Sequence, residues 1–142
     1  MLAELSLATA MVLTTVVCHA VGLYTVGRVL RLEEREEALE HVHPMSLRGF
    51  SVTLAVILAL IGLHGIEIWL YAFVYDLIGA VEGGLRQAVY FSTITYGAIG
   101  YDDAPMAERW RLVSAIEGIN GIILIGWSTA FFVTLAARMR KR

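Results

Sequence analysis

Three stretches of chain, each long enough to cross a bilayer, most constrain what this sequence can fold into. Residues 5–27 contain no Asp, Glu, Lys or Arg. Residues 50–80 are broken only by His64, Glu67 and Asp76, and residues 112–137 only by Glu117. A helix crosses about 30 Å of hydrocarbon with around 20 residues and few ionised groups, because it satisfies its own backbone where there is no water to do so. The chain is 58% hydrophobic and 17% charged, well above the roughly 45–50% apolar content usual for soluble domains. Both observations predict an all-α integral membrane protein with three transmembrane helices. A fourth uncharged stretch, residues 87–101, is fifteen residues long and ends on Gly100 and Tyr101 before Asp102. It is too short to span, so a short re-entrant helix followed by an irregular turn is expected.

Charge sets the expected orientation. Four of the eleven basic residues lie between Arg28 and Arg48, and four more follow Ala137. Basic residues near span ends favour the cytoplasm, which predicts an outside N-terminus and a cytoplasmic C-terminus in a plasma or inner membrane. The opening "MLAELSLATA" has Glu4 and no Lys or Arg before Arg28, unlike a cleaved signal with a basic start, so the first span is expected to be retained. The linker "RLEEREEALEHVHP" holds strong helix formers and is stopped by Pro44. It reads as a solvated extension of the first helix, with His41 and His43 on different sides and poorly placed as a metal or pH site. Cys18 is the only cysteine and cannot close an intrachain disulfide. A net charge of −2 without a basic, aromatic-interleaved stripe points to a lipid bilayer as partner and not to nucleic acid.

Residues 88–121, "AVYFSTITYGAIGYDDAPMAERWRLVSAIEGING", resemble the pore helix, filter and inner helix of the pore-loop potassium channel superfamily. In that family a YFS-like segment and TTVGYGD lead through a Pro-containing turn into an inner helix with an RLV start, a Glu and a hinge-like Gly. The matching residues are Tyr90, Phe91, Ser92 and Thr95, residues 97–103, Pro105, residues 111–113, Glu117 and Gly121. The resemblance implies that Ala98, Ile99, Gly100 and Tyr101 present carbonyls to an ion. Ile99 would pack behind them and Tyr101 brace them, with Thr95 and Gly97 supporting the pore helix and Gly121 as the inner-helix hinge. Carbonyls replace an ion's hydration shell in such a filter, and glycine supplies the positive φ that turning them requires. Asp102 and Asp103 would attract cations at the mouth. The chain departs from the family pattern at Gly97, where a packing Thr is usual, at Ala98, which lacks the Thr hydroxyl, and at Asp102, which replaces the second Gly. These departures predict relaxed potassium selectivity.

Ionisable residues at membrane depth are expensive and usually face the bundle interior or one another. His64 and Glu67 lie three residues apart on the second span, and Glu117 and Asn120 three apart on the third. Glu67 and Glu117 are positioned to meet in the outer half of the bilayer, with His19 and Asp76 as further candidates. Three readings stay open: a structural hydrogen-bonded network, a divalent-metal site of His64, Glu67 and Glu117 suited to zinc, and a proton-responsive gate titrating at His64. A three-ligand metal with an open position would permit metal-assisted hydrolysis. No G-x-S-x-G, H-E-x-x-H or glycine-rich phosphate loop supports another enzyme, so a non-enzymatic role is favoured.

The expected organisation is an N-terminal transmembrane helix over residues 1–29, a cytoplasmic charged linker over 30–49, and a potassium-channel-like pore module over 50–142. That module divides into an outer helix at 50–80, a pore helix and filter at 85–103, and an inner helix at 110–138. The expected function is a monovalent cation channel holding K⁺ or Na⁺, with no other cofactor. A non-conducting membrane protein of channel-like fold, with an intramembrane metal site such as zinc, is the alternative. One re-entrant loop cannot surround an ion, so a closed homo-oligomeric ring is required; the resemblance implies a tetramer, while sequence physics also allows a trimer or another ring. With only a few residues after Ala137, any gate is expected in the membrane, the linker or a partner.

Overall fold

The computed structural model describes residues 1–36, 47–100 and 105–140. The chain forms α1 (Leu2–Glu36), α2 (Leu47–Leu77), α3 (Gly84–Tyr96) and α4 (Arg111–Arg140), with a 3₁₀ turn at Glu108–Trp110 leading into α4. Three helical segments, Leu2–Val29, Gly49–Leu77 and Glu108–Ala137, are long and apolar enough to cross a membrane. Among the described residues there is no strand, only an isolated bridge. The protein is an all-α integral membrane protein. His41 and His43 lie outside the described residues, as do Tyr101, Asp102 and Asp103.

Each long helix buries one stripe. On α1 the buried positions are Ala8, Met11, Thr15, His19 and Leu23; on α2 they include Val56, Leu60, Leu63, Glu67, Tyr71 and Tyr75; on α4, Val113, Glu117, Asn120, Leu124 and Ser128. The spacing of three or four residues places each set on one helical face. Apolar clusters occupy the two ends of these stripes. One joins Met11, Tyr71, Tyr75, Phe91, Met106 and Val113, and the other joins Leu23, Val56, Leu60 and Leu63. The polar side chains form a band between them. Helices α1 and α2 approach closely where Gly22 faces Leu63, since a Cβ there would come within 2.6 Å of the Leu63 methyls.

Helix α3 is a re-entrant excursion. Its 13 residues rise about 20 Å, short of the roughly 30 Å hydrocarbon thickness. The chain leaves α2 through a Schellman turn, in which the Ala80 amide donates to the Tyr75 carbonyl and the Gly79 amide to that of Asp76. Gly79 takes the left-handed position at φ 59°. After α3 and the segment that follows, the chain returns to where it left. Val81 pairs antiparallel with Met106, the Glu82 amide donates to the Pro105 carbonyl (3.1 Å) and the Ala107 amide to that of Ala80 (2.8 Å). Entry and exit are therefore stitched at one level, and α3 packs between α2 and α4.

The end of α3 rests on α4 at a glycine. A Cβ on Gly121 would overlap the Tyr96 carbonyl oxygen and lie 2.9 Å from its carbon, while one on Gly118 would meet the Thr95 carbonyl oxygen at 3.3 Å. The α4 helix is continuous through Gly121, so in this state the residue serves a close helix approach. Gly121→Ala is expected to destabilise the protein by about 1–3 kcal/mol, the range for overpacking a tight contact, with Gly126→Ala, which meets nothing within 4 Å, close to neutral. Thermal unfolding of the two variants in detergent measures the difference.

Candidate functional site

Two residues on one face of α3, Ser92 and Tyr96, are four apart and reach two buried carboxylates on different helices. The Ser92 hydroxyl donates to Glu117 Oε1 (2.5 Å) and lies 3.1 Å from the Ile68 carbonyl. The Tyr75 hydroxyl donates to Glu117 Oε2 (2.6 Å). Glu117 on α4 is thus bound to both α2 and α3, and all three side chains are fully buried. The Tyr96 hydroxyl donates to Glu67 Oε2 on α2 (2.5 Å), and His19 Nδ1 on α1 donates to Glu67 Oε1 (2.9 Å).

The hydrogens can be assigned by elimination, since a carboxylate only accepts. The Tyr96 proton is committed to Glu67, so its oxygen accepts from His64 Nδ1 (2.9 Å). With its Nδ1 protonated, His19 presents Nε2 as acceptor to the Ser128 hydroxyl on α4 (3.3 Å). A third link runs from Asn120 Nδ2 to Thr15 Oγ1 on α1 (2.8 Å) and to the Tyr71 hydroxyl (3.3 Å). All four helices therefore meet in one polar band. Unpaired, these groups would each carry a desolvation penalty of several kcal/mol; paired across helices, they specify how the helices are rotated.

The sequence candidates fall into two hydrogen-bonded sets. Glu67 and Glu117 join different hydrogen-bonded sets, because Ser92 and Tyr96 each claim one acid. His64 and Glu67 stay together, with His64 Nδ1 3.3 Å from Glu67 Oε2, and His19 completes their group. Asn120 bonds to α1 and α2. Asp76 is exposed and belongs to neither set. Spacing alone did not single out Ser128, Thr15, Tyr71 or Tyr75. For the tyrosines a signal was present: Glu67, Tyr71 and Tyr75 recur every four residues, the face period of a helix.

Beyond Tyr96 the chain turns sharply. The Ala98 amide donates to the Thr95 carbonyl (2.9 Å) and the Ile99 amide to that of Ile94 (2.8 Å), with the Gly100 amide on the same Ile94 oxygen (3.2 Å). This is a second Schellman turn, and here the left-handed position is Ala98 at φ 53°. An L-residue there carries roughly 1–2 kcal/mol of strain that Gly avoids. Gly100 is also left-handed, at φ 60°. Residues 97–100 are exposed on the single chain. Ile99 is 54% exposed, its outer carbons facing the side of Gly97 where a Cβ would project. Thr95 presents its carbonyl to Gly118.

A family model described as an ion channel matches residues 63–138, over half of the chain. The match begins within α2, takes in α3 and the turn, and ends in α4; α1 lies before it. Neither an individual curated protein nor a solved structure matches the chain. The matched region contains the α2, re-entrant α3 and α4 arrangement described above, and the chain belongs to the ion-channel family, with a two-helix, potassium-channel-like pore module.

Proposed function

We propose that copies of this chain assemble into a ring, a tetramer by the family resemblance, that conducts monovalent cations with weak discrimination between K⁺ and Na⁺. The observation that carries this reading is the excursion at residues 81–106. A helix too short to span is held at membrane depth by two acids, and the chain beyond it, residues 97–100, is left exposed. Irregular backbone at that depth is tolerated only where protein buries it or where it lines a water-filled cavity. A ring of copies supplies either surface, and carbonyls of residues 98–101 around its axis would replace ion hydration. The exposed apolar face of α4, with Ile119, Ile122 and Ile123, suits contact with lipid or with neighbouring copies.

Relaxed selectivity follows from chemistry at Ala98. Its side chain offers no oxygen, so the innermost coordination that a Thr hydroxyl supplies is missing. The charge pattern supports an outside N-terminus and a cytoplasmic C-terminus, with the turn entered from outside and Asp102 and Asp103 at its mouth.

Planar-bilayer recording of the purified protein tests this. The wild type is expected to pass both K⁺ and Na⁺, and Gly100→Val, a β-branched residue at positive φ, to abolish the current. Ala98→Ser, which restores a hydroxyl without a β-branch at the left-handed φ of 53°, is expected to raise the K⁺/Na⁺ permeability ratio by roughly fivefold, the equivalent of one net hydrogen-bond-sized interaction of about 1 kcal/mol. Absence of current under every monovalent gradient from protein that remains folded and oligomeric would overturn the proposal.

A further inference from the structure

We propose that His19, His64 and Glu67 form an intramembrane binding site for a divalent transition-metal ion such as Zn²⁺, joining α1 to the pore module. One ligand atom from each of the three residues can be chosen so that all lie within 4.8 Å of one another, and the two imidazole centroids are 5.3 Å apart. Zinc binds imidazole and carboxylate at about 2.0–2.2 Å and uses three protein ligands with a fourth open position in many sites. Two imidazoles and a carboxylate are a donor set suited to zinc and its neighbours, and unsuited to Ca²⁺ or Mg²⁺, which take oxygen.

The hydrogen bonds already gather the three donor groups at one place. Each oxygen of Glu67 already has its own donor, His19 on Oε1 and Tyr96 on Oε2. His64 Nδ1, which donates to the Tyr96 hydroxyl (2.9 Å), also lies 3.3 Å from Oε2, which keeps its ring beside the same carboxylate. The surroundings also suit a ligated state. When His19 gives its Nδ1 lone pair to a metal, its proton moves to Nε2, and the Ser128 hydroxyl at 3.3 Å becomes the acceptor that holds that tautomer. Such outer partners orient metal-binding histidines in general. His64 is 17% exposed while His19 and Glu67 are fully buried, so His64 is the side from which an ion enters. Tyr96 lies against the site and begins the turn at residues 97–100, so an ion that draws on Glu67 acts directly on the α3 terminus.

The test uses full-length protein stripped with chelator and titrated with Co²⁺, whose visible absorption is intense in tetrahedral sites. One Co²⁺ per chain, displaced by Zn²⁺, is expected. The signal should persist in the double variant His41→Ala/His43→Ala, weaken about tenfold in Ser128→Ala, and disappear in His64→Gln that still elutes as folded oligomer. A wild type with no saturable signal overturns the proposal, as does a signal lost with His41 and His43 or unaffected by His64→Gln. The readout is metal binding and not current, so its failure is distinguishable from failure of the channel proposal.

Discussion

The arrangement depends on one constraint: carboxylates at membrane depth must find all their partners within the protein. Glu67 and Glu117 meet it by dividing α3 between them, one taking Tyr96 and the other Ser92. Leaving a buried hydrogen-bonding group without its partner costs about 1–3 kcal/mol, a large share of the total stability of a small domain. The rotation and depth of α3 are consequently strongly specified. Its end then meets α4 at Gly118 and Gly121, and the turn at residues 97–100 emerges at a defined place. Position of the irregular segment thus follows from the chemistry of two acids on the helices around it.

The first helix is part of the same device. It lies before the region that matches the ion-channel family, yet His19 completes the partners of Glu67 and Thr15 bonds Asn120 of α4. Close packing at Gly22 and Leu63 reinforces the contact. A movement of α1 would disturb Glu67 and, through Tyr96, the start of the turn. The extra helix is therefore mechanically connected to the part of the molecule where ions are proposed to pass.

Much of this was legible in the sequence, for physical reasons that also explain what was not. Charge-free length disclosed the three spans, and the shortness of residues 87–101 disclosed the re-entrant helix, because the bilayer allows few other uses for such segments. The depth of His64, Glu67 and Glu117 was equally plain. Their partners were not. Spanning helices are apolar nearly all round, so sequence periodicity reports their facing directions poorly, and nothing in the spacing of Ser92 and Tyr96 says which acid each will meet. Glu67 and Glu117, expected to meet, each bond to a different residue of α3, Tyr96 and Ser92. The left-handed turn at Ala98 was also hidden. Positive φ was expected at Gly100, and the terminal hydrogen bonds of α3 require it at Ala98 as well.

The account rests on Glu117 as the residue that fixes α3 between α2 and α4, and amide hydrogen exchange over residues 85–96 measures that directly. In Glu117→Ala, which deprives the Ser92 hydroxyl of its acid, opening of α3 should become easier by about 2 kcal/mol, which accelerates exchange by roughly thirtyfold. Exchange in the middle of α1 should change far less, and Glu108→Ala, an exposed position, should leave α3 unaffected. Protection of α3 that is the same with and without the Glu117 carboxylate would contradict the account.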